Sequence, residues 1–383
     1  MKFLNSLKNV KWKHYVNYIG VALAMLVFTI ITLVGEPKSS TLYLLENITM
    51  NIILAVSLSL VVGFLGELSL GHAGFMCIGA YIGGKLASIL AATALGNGIV
   101  TLLISTVVGA AVAGVFGFVI GLPALRLKGD YLAIVTLAFG EIVRTIFQNS
   151  SEKTFGGPMG IKTPRFDKHY LFIIGFAFVL ITLFVIQNLI RSKHGRAITA
   201  IRDNEIAARA TGINVTKYKL LGFIISAAFA GVAGVFYSFA NFNIRPVTFD
   251  YNYSIEMLVM VVLGGMGNIT GSIISATLIT ILNTELQTVL SGDLAVLKDI
   301  IYSLILILIV IYNNAPKLKA FRERFNLKAI IHRLVRRKKK AGDISDDAAR
   351  WDVITTKIDM DEVLSTDIVV NESVMKPDKE EKP

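Results

Sequence analysis

Charge is scarce in this chain. Asp, Glu, Lys and Arg make up only 17% of its 383 residues, while 54% are hydrophobic and the mean hydropathy is +0.64. A soluble domain ordinarily carries about 25% charged residues. Too little polar surface exists here to keep so much apolar side chain in water, so lipid is the expected solvent. Cysteine is nearly absent. A lone Cys77 excludes an internal disulfide, and in its apolar surroundings it reads as a small packing residue. The histidines His14, His72, His169, His194 and His332 lack the mutual spacing of metal ligands, so no metal site is expected. No nucleophile elbow or paired carboxylates occur, so no catalytic residue is expected, and no nucleic-acid partner. Gly79 to Lys85 has the spacing of a phosphate-binding loop, but Leu86 stands where Ser or Thr would hold magnesium and no soluble strand precedes it. Close helix contact through small residues is the better reading of that stretch. The first apolar run lacks a small-residue cleavage site after it and reads as a retained helix.

What the chain does have is long apolar runs. Segments at 15–34, 42–65, 68–91, 98–122, 130–148, 169–190, 219–240, 254–286 and 297–313 meet the requirement of about 20 mostly apolar residues for a spanning helix. The expected fold is therefore an all-α polytopic membrane protein with about 9–10 transmembrane segments. The run 254–286 is too long for one plain helix and is broken at Gly264 to Asn268, as two short spans or a re-entrant hairpin. Lysine and arginine cluster before the first span, in the loop 191–219 and after 317, which predicts that all three lie in the cytoplasm. Parity then requires the broken segment to enter and leave on one side or to cross twice. The net positive loop 149–168, predicted external, runs mildly against this rule. The expected organisation is a cytoplasmic N-terminus at 1–14, a transmembrane domain at 15–316, a basic juxtamembrane segment at 317–340 resting on anionic lipid, and a tail at 341–383. Twelve acidic and five basic side chains in that tail predict a solvated, disordered cytoplasmic end.

Two glycine-rich runs interrupt apolar segments, Gly66 to Phe75 and Gly264 to Ser272. Irregular backbone at membrane depth survives only when buried in protein or lining a cavity, and paired interruptions point to a translocation path. Gly71, His72, Gly74, Gly264, Gly265 and Gly267 are the candidates for lining or gating it. The weak pattern shared by the two runs is consistent with a two-half repeat; tight helix packing is the plainer account of any single glycine. Among the intramembrane polar residues Glu67, His72, Lys85, Glu141, Arg144 and Glu256, the spacing of Glu141 and Arg144 predicts a structural ion pair on one helix face. Lys85 and Glu256 are expected near helix ends with their tips at the interface.

The loop 191–219 is richer in alanine and more regular than a linker needs. Ala200, Ile201, Asn204, Ala207, Ala208 and Thr211 recur at helical spacing, with Arg202, Glu205 and Arg209 on another face. Asp203 or Asn204 is expected to cap the second half, and Gly212 suits a helix stop. A short exposed helix with a small-residue face fits a partner's groove. An interfacial helix on lipid is the alternative, which alanine serves poorly.

At this loop the sequence resembles a known family. Ile206 to Gly212 is similar to the Glu-Ala-Ala-x-x-x-Gly signature by which importer permeases engage their ATPases. Ile206 stands in the glutamate's place and Glu205 one position earlier. Gly66 to Tyr81, Leu125 to Arg144 and Met257 to Gly271 resemble blocks of the LivM-type permease of branched-chain amino acid ABC transporters. Together the matches cover much of residues 50–280. Cys77 departs from the glycine or alanine expected there, and the acidic tail lies outside. The resemblance implies a prokaryotic cell-membrane subunit. Its partners would be two ATPase subunits, a homologous second permease, an extracellular substrate-binding protein, membrane lipids and an amino-acid substrate. It implies that no cofactor is bound by this chain, with ATP and magnesium on the partner subunits. It also implies ATPase docking through Arg202, Asn204, Glu205, Ala207, Ala208 and Gly212. Related subfamilies carry urea, short amides or other amino acids. A stand-alone secondary carrier or a sensor using the acidic tail are the rival readings.

Overall fold

In the computed structural model, the described residues are 16–289, apart from breaks at 36–38, 94–95, 97, 128, 165 and 167, plus positions 300, 301, 303, 304 and 307. The expected segments 1–14, 317–340 and 341–383, and nearly all of the last span, lie outside the described residues. The elements are α1 (Val16–Val34), α2 (Ser39–Ser59, continued by a π turn at Leu60–Leu65), α3 (His72–Ala91), α4 (Ile99–Ala124), α5 (Asp130–Gln148), α6 (Glu152–Phe155), β1 (Ile161–Lys162), α7 (Lys168–Arg191), α8 (Lys193–Asp203), α9 (Glu205–Ala210), α10 (Val215–Ala240), β2 (Asn243–Ile244), α11 (Tyr251–Gly264) and α12 (Ile269–Val289).

Six of these helices are long and apolar enough to cross a membrane: Ser39–Leu65, His72–Ala91, Ile99–Ala124, Tyr170–Arg191, Val215–Ala240 and Ile269–Thr288. α5 holds Asp130, Glu141 and Arg144 and is correspondingly less apolar. α11 has 14 residues, a rise of about 21 Å against a hydrocarbon thickness of about 30 Å. The expected third span begins at His72 rather than 68, because 67–71 is not helical.

Polarity is inverted relative to a soluble protein. α2 is the central helix, 94% buried over its most apolar window, against 28% for α12. Large apolar side chains such as Leu26, Val107, Ile134, Phe184 and Ile274 point outward. Polar groups pair inside: Ser226 Oγ donates to the Ser57 carbonyl at 2.6 Å, and Asn51 Nδ2 to Thr280 Oγ1 at 2.8 Å. With lipid outside, little hydrophobic force draws helices together, and small residues let dispersion contacts do so. α3, α4 and α10 pack in this way. A Cβ on Gly79 would stand 2.2 Å from the Gly231 carbonyl oxygen, and one on Gly117 would stand 2.6 Å from Ala227 Cβ. The phosphate-loop spacing at 79–85 therefore lies within helix α3, and Gly79 sits at a helix contact.

The bundle has two dissimilar ends. One carries α8 and α9. At the other, β1 and β2 pair antiparallel, Ile161 with Ile244 and Lys162 with Asn243. There Tyr81 stacks on Phe147 at 4.2 Å and its hydroxyl donates to the Ile244 carbonyl.

The break at 264–268 separates two helices packed antiparallel. Ser275 Oγ donates to the Met260 carbonyl, and Asn283 Nδ2 donates to Glu256 Oε1 at 3.0 Å. α11 runs from the strand end towards α8, turns, and returns as α12.

Candidate coupling site

α8 starts at Ser192, whose hydroxyl accepts from the backbone of His194 and Gly195. It stops because Asn204 is extended, at φ −158° and ψ 104°. Asn204 Oδ1 then accepts from the Ile206 and Ala207 N–H groups, each at 3.0 Å, opening α9. Asparagine competes with the backbone for these hydrogen bonds and so favours a cap over a helix interior. The cap falls on Asn204 rather than Asp203. α9 ends on Gly212 at φ +84°, where the N–H groups of Gly212 and Ile213 donate to the carbonyls of Arg209 and Ala208. That crossed pair is the Schellman arrangement, which needs a residue that tolerates the left-handed region.

The stretch 200–211 is therefore divided at the expected cap into two short helices, and the kink redistributes the single face that the spacing gave. Ala208 is 4% exposed and packs inward with Ile201 and Val215. It belongs to the arm's own small core, not to the outer face where the spacing put it. Ala207 is exposed, and Ile206 is 81% exposed beside it. Ile206 thus projects from the place where the signature has glutamate.

Charged side chains tie this arm to the bundle. Glu205, in the first turn of α9, accepts from Arg209 at 2.9 Å and from Lys219 Nζ at 3.1 Å. Lys219 also forms a short ion pair with Glu67. The Lys219 and Glu67 side chains are about nine-tenths buried or more. Their charges are tolerable there because each is answered directly. Arg202 Nη1 donates to the Gly63 carbonyl at 3.0 Å, while its other nitrogens hold Asp203. Gly66, left-handed at φ +77°, lies under the Arg202 stem, and a Cβ there would be 2.7 Å from Arg202 Cγ. Neither the Glu67–Lys219 pair nor Gly63 is apparent from local spacing. The only sequence signal is that Glu67 and Lys219 both fall at the predicted cytoplasmic ends of apolar runs.

The first glycine run begins at Gly66, where the π turn of α2 ends, a geometry that often marks functional positions. His72 opens α3 and lies 2.9 Å from Ser57 Oγ through Nε2. Gly71 and Gly74 face α5, where added Cβ atoms would meet the Thr136 carbonyl oxygen at 2.4 Å and Gly140 Cα at 2.7 Å. The second run is the hairpin turn. Gly265 and Gly267 take φ +89° and +80°, and a Cβ on Gly264 would stand 2.4 Å from the Gly271 carbonyl carbon. The turn meets the arm, since a Cβ on Gly63 would be 2.4 Å from Gly267 N. So Gly267 joins Gly63 and Arg202, whereas Gly71, His72 and Gly74 sit between α2 and α5. A direct hydrogen bond also links α3 to the hairpin, from Ala73 N–H to Ser254 Oγ at 3.1 Å.

Arg144 Nη2 lies 2.7 Å from Glu141 Oε2, and Glu141 Oε1 accepts from the Tyr251 N–H at 3.1 Å, fixing the start of α11. Glu256 does not sit at a helix end. It is the sixth residue of α11 and meets Asn283 of α12. Among the described residues, no group of three or more His, Cys, Asp or Glu could hold a metal ion.

An all-helical bundle with an apolar exterior, internally paired charges and glycine-broken segments is a polytopic membrane protein. Residues 40–310 match the family described as branched-chain amino acid transport system / permease component, and the chain belongs to that family. The high-affinity branched-chain amino acid transport system permease proteins LivM of Salmonella typhimurium LT2 and Escherichia coli K12 are each 38% identical to it, over 263 and 262 residues. In both cases the match spans 60% of this chain and 60% of the relative's length. The ribose import permease protein RbsC of Escherichia coli K12 is 28% identical over 322 residues, 77% of this chain and 92% of the relative. No solved structure matches.

Proposed function

We propose that this chain is the membrane permease subunit of an ATP-driven importer for branched-chain, hydrophobic amino acids. The observation that carries the proposal is the ionic chain Arg209–Glu205–Lys219–Glu67, which joins an exposed two-helix arm to a broken membrane helix. Family membership and the names of the LivM relatives support the substrate class. The similarity to a ribose permease supports the same subunit role with different cargo.

On this reading the arm lies in the cytoplasm and presents Ile206 and Ala207 to an ATPase. Two ATPase subunits, a homologous second permease and an extracellular substrate-binding protein complete the transporter. The permease binds no cofactor; ATP and magnesium belong to the ATPases, and this chain couples to hydrolysis mechanically. Closure of the ATPase dimer displaces α9, and the buried Lys219 and the Arg202 bond carry that displacement to the two broken segments. The basic stretch 317–340 contacts anionic lipid, and both termini lie in the cytoplasm of a prokaryotic cell.

The test is Ala207→Glu in the reconstituted set of subunits. Uptake of labelled leucine and co-purification of the ATPases should both be lost, with membrane insertion unchanged. Undiminished uptake would instead identify a carrier that needs no motor. Competition by isoleucine, valine, urea and ribose against leucine sorts the cargo.

A further inference from the structure

A polar cavity of about 180 Å³ lies between α2, α10, α11 and α12, lined in part by Tyr43, Asn51, Tyr253, Glu256, Thr280 and Asn283. It sits towards the strand end of the bundle, since Tyr43 is near the start of α2 and Asn283 is in the second half of α12. No residue of the glycine runs lines it. A pocket so placed in an otherwise apolar domain calls for a reason, because polar groups at membrane depth are costly and usually face a pathway.

The hydrogen bonds show where the donors of the lining point. The Tyr253 hydroxyl donates to Asn51 Oδ1 at 3.2 Å, Asn51 Nδ2 to Thr280 Oγ1, and Thr280 Oγ1 to the Ala276 carbonyl at 2.7 Å. Asn283 Nδ2 donates to Glu256 Oε1. Each of these side chains directs a donor at its neighbour or at backbone. The amide of Asn283 cannot be turned round, because its oxygen would then face an acceptor-only carboxylate. Among the described side chains that line the cavity, Glu256 is the one that carries a negative charge.

We infer that this cavity binds the ammonium group of a zwitterionic amino acid, the Glu256 carboxylate, held in place by Asn283 Nδ2, receiving its N–H donors. An ammonium brings three donors and the complementary charge. At about 180 Å³ the cavity is smaller than the roughly 300 Å³ of a drug-sized pocket, a volume suited to one small zwitterion. This rests on the permease reading and adds to it which part of the cargo this chain touches.

The test uses the full complex carrying Thr284→Cys, a position on the same cavity wall. The native Cys77 is fully buried, and the unsubstituted complex is the control for it. The reagents are 2-aminoethyl methanethiosulfonate, a small ammonium, and its neutral methyl counterpart. The ammonium reagent should react at least fivefold faster than the neutral one, after correction for their rates on a free thiol. L-leucine and 3-methylbutylammonium should slow it, and 4-methylpentanoate, which lacks the amine, should not. Glu256→Gln should erase the preference, and Asn283→Leu should reduce it. Equal rates for the two reagents, protection by 4-methylpentanoate as strong as by leucine, or an unchanged preference in Glu256→Gln would each overturn the inference. Leucine uptake by the same complex is read in parallel. Uptake intact in Glu256→Gln with no protection of the introduced thiol removes the site and leaves the importer standing. Protection by leucine in a complex that does not import keeps the site and removes the importer.

Discussion

The two glycine-broken regions are held in unlike ways. At 66–71 the chain leaves a π turn, runs unwound for a few residues and is fastened mainly by side chains: Lys219 on Glu67, Arg202 on Gly63, Ser57 on His72. At 264–271 the hairpin is fastened mainly by two backbones meeting across Gly264 and Gly271, with Asn268 Oδ1 accepting from the Gly271 N–H at 3.2 Å. Charge and hydrogen bonds hold the first, shape the second. An ionic fastening can be strengthened or released by a partner that moves one charge, whereas a close-packed turn either fits or fails. The first region has the adjustable attachment to the arm, and the second behaves as a rigid piece.

The contrast breaks most severely with Gly271→Val. A Cβ there falls 1.7 Å from the Gly264 carbonyl oxygen, so the hairpin cannot close. Size-exclusion chromatography should show loss of the folded species, whatever the ionic strength. Lys219→Met should come next, costing about 3–5 kcal/mol because Glu67 is left buried without its cation. Adding Glu67→Gln should recover part of the lowered thermal midpoint, a rescue that the hairpin variant cannot receive. The smallest effect is expected from Asn204→Ala, about 1 kcal/mol for the lost cap. Hydrogen exchange should quicken at Ile206 and Ala207 and stay unchanged at the hairpin.

Features set by local spacing were legible in the sequence. Apolar length located the helices, glycine located the break at 264–268, the cap expected at Asp203 or Asn204 and the stop at Gly212 marked the ends of α9, and three-residue spacing paired Glu141 with Arg144. Features set by long-range geometry were not. Glu67 and Lys219 are 152 positions apart, and no period connects them. The helical spacing of 200–211 gave one face across the cap expected at Asp203 or Asn204, which concealed that the kink there would turn Ala208 inward. Glu256 was placed at a helix tip because the length of α11 depends on where the chain re-enters the bundle, which Asp250 and Glu141 decide together. The roles in docking and gating given to these residues are settled by the experiments above, not by their positions.

The seam between Gly63 and Gly267 has a mechanical implication. Most helix contacts interlock like gear teeth, so sliding one past another means lifting every tooth from its slot. Here bare main chain meets bare main chain, with nothing to unmesh. On the proposed coupling, such a surface would serve as a plain bearing, letting the turn shift sideways by small amounts without prising the two pieces apart.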